Sequence, residues 1–84
     1  MANVTIYTTR ICPYCVAAKR LLDQKGARYR EIAVDDRDDL REWLVEASSQ
    51  RTVPQIFING RHVGGCDELM ALEYQGKLDE LLAA

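Results

Sequence analysis

The stretch "RICPYCVAAKRLL", residues 10–22, decides the fold. It holds two of the chain's three cysteines, Cys12 and Cys15, separated only by Pro13 and Tyr14. Just upstream, "NVTIYT" (3–8) alternates and is β-branched, which predicts a strand. Just downstream, Ala18, Leu21, Leu22 and Lys25 recur at helical spacing and predict a helix over 13–25. Pro13 suits the first turn of that helix, where its missing N–H is not needed, and Gly26 suits its end. The cysteine pair therefore stands where a strand gives way to a helix. It reads as a redox pair, as half of a metal site, or as chance neighbours.

The rest of the chain extends this unit. "RYREIAV" (28–34) predicts a second strand, with Ile32 and Val34 on one face. Asp35, Asp36, Asp38 and Asp39 precede a second helix, whose N-terminus favours negative charge. Leu40, Trp43, Leu44 and Ala47 then form an amphipathic stripe that assigns Trp43 to the core. After a polar loop (48–51) and Thr52-Val53-Pro54, "QIFI" (55–58) and "RHV" (61–63) flank Asn59-Gly60, a strong hairpin signal. Gly64-Gly65 break the second of these strands. A helix follows over 67–74, with Leu69, Met70 and Leu72 apolar, and Gly76 ends it. Leu78, Leu81 and Leu82 suggest a short docking turn at the C-terminus. The order is β-α-β-α-β-β-α, an α/β arrangement in one domain over 1–84. Its first strand pair should be parallel with a right-handed crossover, and its last pair antiparallel.

Composition narrows the function classes. An 84-residue chain with 48% hydrophobic and 29% charged residues is ordinary for a globular protein with a small core. The net charge of −2 is made of interspersed charges, without the basic patch that nucleic acid requires. No apolar run approaches the ~20 residues of a membrane span. The first residues have neither the basic nor the apolar segment of a signal peptide. Three cysteines are too few, and odd in number, for a secreted disulfide scaffold, so cytoplasmic residence is expected.

Chemistry favours the redox reading of the pair. At a helix start, free amides and the macrodipole stabilise an anion, and thiols there have pKa values of roughly 3.5–7.5. Cys12 is the exposed candidate nucleophile. Cys15, one turn on, is the shielded thiol that can close a disulfide with it. Arg10 is a candidate stabiliser of the thiolate. A structural zinc site needs four ligands. The remaining candidates, His62 and Cys66, do not make a standard second half-site, and His62 reads as a surface residue of the hairpin.

Cys12-Pro13-Tyr14-Cys15, the run "RTVPQIFING" and the run "GGCDEL", at these distances, resemble the three motifs of the dithiol glutaredoxins, most closely the short bacterial ones. The resemblance covers Asn3 to Leu82. It implies a thioredoxin fold with a four-stranded mixed sheet flanked by helices, and a cis peptide bond before Pro54. It further implies a glutathione site drawn from Tyr14, Arg41, Thr52, Val53, Pro54, Gly65, Cys66 and Asp67. In that site the Val53 backbone pairs with the cysteinyl part of glutathione. The Cys66 amide and Asp67 hold the γ-glutamyl end, and Arg41 meets the glycyl carboxylate. Many members carry lysine at the position of Thr9, which makes Arg10 the nearest cation here. Cys66 reads as a packing residue or as a regulatory thiol.

The activity implied is thiol–disulfide exchange with glutathione as co-substrate and no bound cofactor or metal. Cys12 alone serves glutathione mixed disulfides, and Cys12 with Cys15 serves protein disulfides. A monomer is expected, and ribonucleotide reductase is among the candidate targets. Two rival readings share the fold: a redoxin reduced by thioredoxin reductase without glutathione, and a module that bridges an iron–sulfur cluster.

Overall fold

Side-chain alternation along the strands sorts the apolar residues onto two faces of one sheet. The computed structural model of the protein describes residues 2–84. Its strands are β1 (Val4–Thr8), β2 (Tyr29–Ala33), β3 (Gln55–Ile58) and β4 (Arg61–Gly64). Its helices are α1 (Pro13–Gln24), α2 (Asp38–Ser48), α3 (Cys66–Tyr74) and α4 (Leu78–Ala83). The strand order is β2-β1-β3-β4, with β1 and β2 parallel and the other two pairs antiparallel.

On one face, Val4, Ile6, Ile56 and Ile58 pack with Ala18, Leu21 and Leu22 of α1, Leu69 of α3 and Leu78 of α4. On the other, Tyr7 and Val34 meet Leu44 of α2, with Ile32, Leu40, Val53 and Phe57 around them. Among the described residues no helix is long and apolar enough to cross a membrane.

The local signals act as the physics requires. Asn59 (φ 52°) and Gly60 (φ 77°) turn the β3–β4 hairpin, and the Asn59 side chain accepts from the Asn3 amide at 2.9 Å. Gly26 takes φ 69° just past α1. Asp38 and Asp39 occupy the first turn of α2.

Two expectations need correction. Trp43 is not a core residue, being 46% exposed. Only part of its ring is covered, by Tyr7 (centroids 5.5 Å apart) and Phe57 (6.1 Å), because α2 covers this face of the sheet incompletely. Ala47, assigned to the same stripe, is exposed too. The C-terminal docking turn is a full helix, α4, so the element order gains an eighth member. Lys25 ties α4 in place, with Nζ 2.7 Å from Glu73 and 2.9 Å from Asp79.

Candidate active site

Cys12 caps α1 with its own side chain. The residue is extended (φ −154°), and the Cys15 amide donates to Cys12 Sγ at 3.0 Å. Pro13 follows at the first helical position, where no amide is lost. Cys12 and Cys15 are joined as a disulfide, with Cα atoms 5.1 Å apart. Cys12 is half-buried at the surface, and Cys15 is buried beneath it. Helical geometry makes them unequal: the first cysteine meets solvent, and the second faces the core.

The loop before β3 comes up against this sulfur. The Val53–Pro54 peptide bond is cis, as expected, and Cys12 Sγ lies 3.7 Å from the Val53 carbonyl oxygen. From there a cleft of about 370 Å³ runs to the start of α3, a volume in the range of small-ligand sites. Tyr14, Thr52, Val53 and Pro54 form one wall, and Gly65, Cys66 and Asp67 form the other. Seven of the residues singled out in the sequence therefore share one cavity.

The α3 wall is shaped by close contacts. The Gly65 amide donates to Glu68 Oε1 at 2.6 Å, and the next amides belong to the first turn of α3, where they have no partner within the helix. A Cβ on Gly64, whose φ is +128°, would fall 2.6–2.8 Å from Glu68 side-chain atoms. One on Gly65 would fall 3.2 Å from the Pro54 carbonyl oxygen, so glycine lets these two walls approach. Cys66 is 8% exposed and packs in the core cluster. Burial, then the Asp67 and Glu68 carboxylates, push its thiol above the ordinary value, which suits a protonated packing residue rather than a reactive one.

Arg10 and Arg41 stand apart from the cleft. The Arg10 guanidinium is directed to Asp35 (3.7 Å) and Asp36 (3.5 Å), and its backbone amide donates to Asp35 at 3.0 Å. Two carboxylates thus share its charge. Arg41 lines a small neighbouring recess together with Arg51, Gln50, Thr52 and Val53.

Gln50, Arg51 and Glu68 were missed in the sequence. The first two fall in what reads as a featureless polar loop. Glu68 was detectable as the acid three residues after a helix cap, but the cap is Gly65 rather than serine or threonine. His62, exposed on the hairpin, bonds to Gln55 at 2.7 Å. Among the described residues no group of three or more His, Cys, Asp or Glu side chains is arranged to hold a metal ion.

Comparison with known proteins gives a consistent set of matches. The glutaredoxin family model matches residues 4–63. The chain is 55% identical to a glutaredoxin of Pseudomonas aeruginosa over 84 residues, covering 100% of both chains. It is 51% identical to glutaredoxin 3 of Escherichia coli, covering 98% of this chain and 99% of that one. Among solved structures, a buckwheat glutaredoxin–glutathione complex superposes with a TM-score of 0.91 at 39% identity, over 98% of this chain and 77% of that one. The glutaredoxin of Brucella melitensis superposes with a TM-score of 0.88 at 54% identity, over 98% and 89%.

Proposed function

The chain belongs to the glutaredoxin family, has the thioredoxin fold and is a thiol–disulfide oxidoreductase, and on that footing we propose that it uses glutathione to reduce glutathione mixed disulfides and protein disulfides. The observation that carries this reading is the cleft. It begins at Val53, whose carbonyl lies 3.7 Å from the candidate nucleophile, and ends at Gly65, Cys66 and Asp67 of the α3 start. One wall suits an extended peptide backbone, by pairing with Val53. The other suits a group carrying both a carboxylate and an ammonium, held by the Cys66 amide and by Asp67. Glutathione presents both features around one sulfur, as does the ligand of the buckwheat complex. Arg41 and Arg51 line the small recess that shares Gln50, Thr52 and Val53 with the cleft, and on this reading they meet its glycyl carboxylate.

The chemistry is an exchange of S–S bonds. The Cys12 thiolate attacks the glutathionyl sulfur of a mixed disulfide. A Cys12–glutathione bond forms, the old S–S bond breaks, and the substrate thiolate leaves and takes up a proton from water. A second glutathione thiolate attacks the glutathionyl sulfur of that adduct, and oxidised glutathione departs with Cys12 returned as thiolate. With a protein disulfide, Cys12 forms the mixed disulfide and Cys15 displaces the substrate, which closes the Cys12–Cys15 bond. Two glutathione molecules then reopen it. A low Cys12 pKa serves both directions, raising the thiolate fraction and improving the leaving group. Glutathione acts as co-substrate, and these steps call for no bound cofactor. We assign the reaction to a monomer in the cytoplasm.

A coupled assay tests the reading. It combines the protein, glutathione, glutathione reductase, NADPH and a small glutathione mixed disulfide. Turnover that depends on both glutathione and Cys12 is expected. Turnover with thioredoxin reductase and not with glutathione would overturn it. A purified protein that absorbs as an iron–sulfur cluster and lacks turnover would overturn it too.

A further inference from the structure

Gln55 opens β3 fully buried, with 0% of its surface exposed, yet it carries a polar amide. Its Nε2 lies 2.8 Å from Gln50 Oε1 and 3.0 Å from the Thr52 carbonyl oxygen, with Thr52 Oγ1 at 3.4 Å. Its Oε1 lies 2.7 Å from His62 Nε2. Gln50 and Thr52 line the cleft, and Gln55 lies behind them.

The Thr52 carbonyl decides the direction of these bonds. A carbonyl oxygen only accepts, so the edge of the Gln55 amide that faces it must be the NH₂. Oε1 then faces His62 and can only accept in turn. His62 Nε2 must therefore carry hydrogen, which selects the Nε2–H tautomer of the neutral ring. The reversed amide would set the Gln55 oxygen against the Thr52 carbonyl oxygen. His62 is exposed, but its ring is also held by Phe57, with centroids 5.1 Å apart at 47°.

We propose that Gln55 and His62 are positioning residues for the cleft, acting as a hydrogen-bonded relay from the hairpin that holds Gln50 and Thr52 in place for the bound substrate. The relay rests on the reading of this cleft as the glutathione site. Its logic is the cost of an orphaned buried amide, which exceeds the gain from an ordinary hydrogen bond. While His62 satisfies Oε1, the NH₂ stays committed to Gln50 and Thr52. Without that donor, Oε1 reaches for water and the amide loosens its hold on the loop. Cys12 takes no part, so the relay should affect substrate binding and leave the nucleophile alone.

His62 is exposed and can be replaced without opening the core. His62→Leu removes the donor, and His62→Gln supplies an amide N–H in its place. In the coupled assay, His62→Leu should raise KM for the glutathione mixed disulfide about three- to tenfold, the weight of one neutral hydrogen bond. Its kcat and the rate of Cys12 alkylation should stay at wild-type values, and His62→Gln should recover most of the loss. Nitrogen-15 spectra of the wild type should show the neutral His62 ring protonated at Nε2. The Gln55 side-chain amide protons should exchange slowly in the wild type and faster in His62→Leu. A wild-type KM in His62→Leu, an equal rise in both variants, or a neutral ring protonated at Nδ1 would overturn the relay alone. Wild-type protein without activity on the mixed disulfide would instead overturn the glutathione reading, and the relay's role with it.

Discussion

The amide of Cys15 donates to the sulfur of Cys12 at 3.0 Å, so the candidate nucleophile is the cap of its own helix. In the reduced protein that contact, with the α1 macrodipole behind it, should favour a thiolate at position 12 over one at position 15. The lysine that many relatives carry is Thr9 here, and Arg10 is engaged by Asp35 and Asp36. A lowered Cys12 pKa would then rest mainly on the helix start. Alkylation of the reduced protein by iodoacetamide should show Cys12 reacting with an inflection below that of a free thiol, about 8.5. Cys66, whose thiol is pushed up by burial and by two carboxylates, should lag far behind it. An inflection at the free-thiol value would show that the missing lysine matters more than the helix.

The same asymmetry should separate the two cysteines functionally. Cys12→Ser should abolish every activity. Cys15→Ser should keep reduction of glutathione mixed disulfides, because glutathione itself resolves the Cys12 adduct. It should lose most of the reduction of protein disulfides, which needs an internal resolving thiol. The comparison is between initial rates on a glutathionylated peptide and on a protein disulfide. Equal loss of both activities in the two variants would refute the division of roles.

Gly64 sets the approach of α3 to the β3 loop. At φ +128° an added side chain is strained, and its Cβ would also meet Glu68 at 2.6–2.8 Å. Gly64→Ala should destabilise the fold by about 1–3 kcal/mol in urea unfolding and weaken turnover of glutathionyl substrates, since displaced Glu68 releases the Gly65 amide. Gly60, with φ +77° and open space around it, isolates the backbone part. Gly60→Ala should cost about 1 kcal/mol and leave turnover intact.

Acid stability should depend on Glu31. Hydrogen bonds from Lys19 and then from Thr8 lower its pKa, and Thr8 Oγ1 donates to it at 2.8 Å from a buried position on β1. A depressed folded pKa stabilises the fold above the unfolded glutamate value, about 4.3, and the gain is lost as pH falls through the lower folded value. The Glu31 side chain is 39% exposed, so solvent screening limits the gain to about 0.5 kcal/mol. Urea unfolding of the wild type and Glu31→Gln should differ by that amount near neutrality and converge at acid pH. A gap that persists at acid pH would assign the effect to packing.

Most of the architecture was legible because its signals are local. Pro13 after Cys12, Asn59-Gly60 and Gly26 each act through their own backbone, and the period-2 runs mark β1 and β3. Trp43 was misplaced because helical spacing reports which face a residue occupies and says nothing of how far the neighbouring layer extends over it. Cys12, Cys15 and the two cleft walls were legible as motifs. The partners of Arg10 were not legible because they come from the β2–α2 turn, far away in sequence. Gln50, Gln55 and His62 were silent for the same reason: a polar contact between side chains leaves no periodic trace.

On the glutathione reading, Asp67 should link the far end of the cleft to one substrate. It lies in the first turn of α3, after the Gly65 cap, lines the cleft and makes no cap hydrogen bond to the helix. If it accepts from the γ-glutamyl ammonium, Asp67→Asn should weaken that contact while keeping the side chain's shape. A charge-assisted bond is worth roughly 1.5–3 kcal/mol, and less where solvent screens it. The expected loss is therefore about one order of magnitude in kcat/KM for glutathionyl substrates. Direct attack of Cys12 on hydroxyethyl disulfide, before any glutathione adduct exists, should be unaffected. Removing an acid from the helix start also costs stability, about 0.3–1 kcal/mol, but that loss would touch both substrates alike. Single-turnover rates on the two substrates, taken as a ratio, isolate the contact. A ratio equal to that of the wild type would reduce Asp67 to a helix-start charge and move the γ-glutamyl site elsewhere.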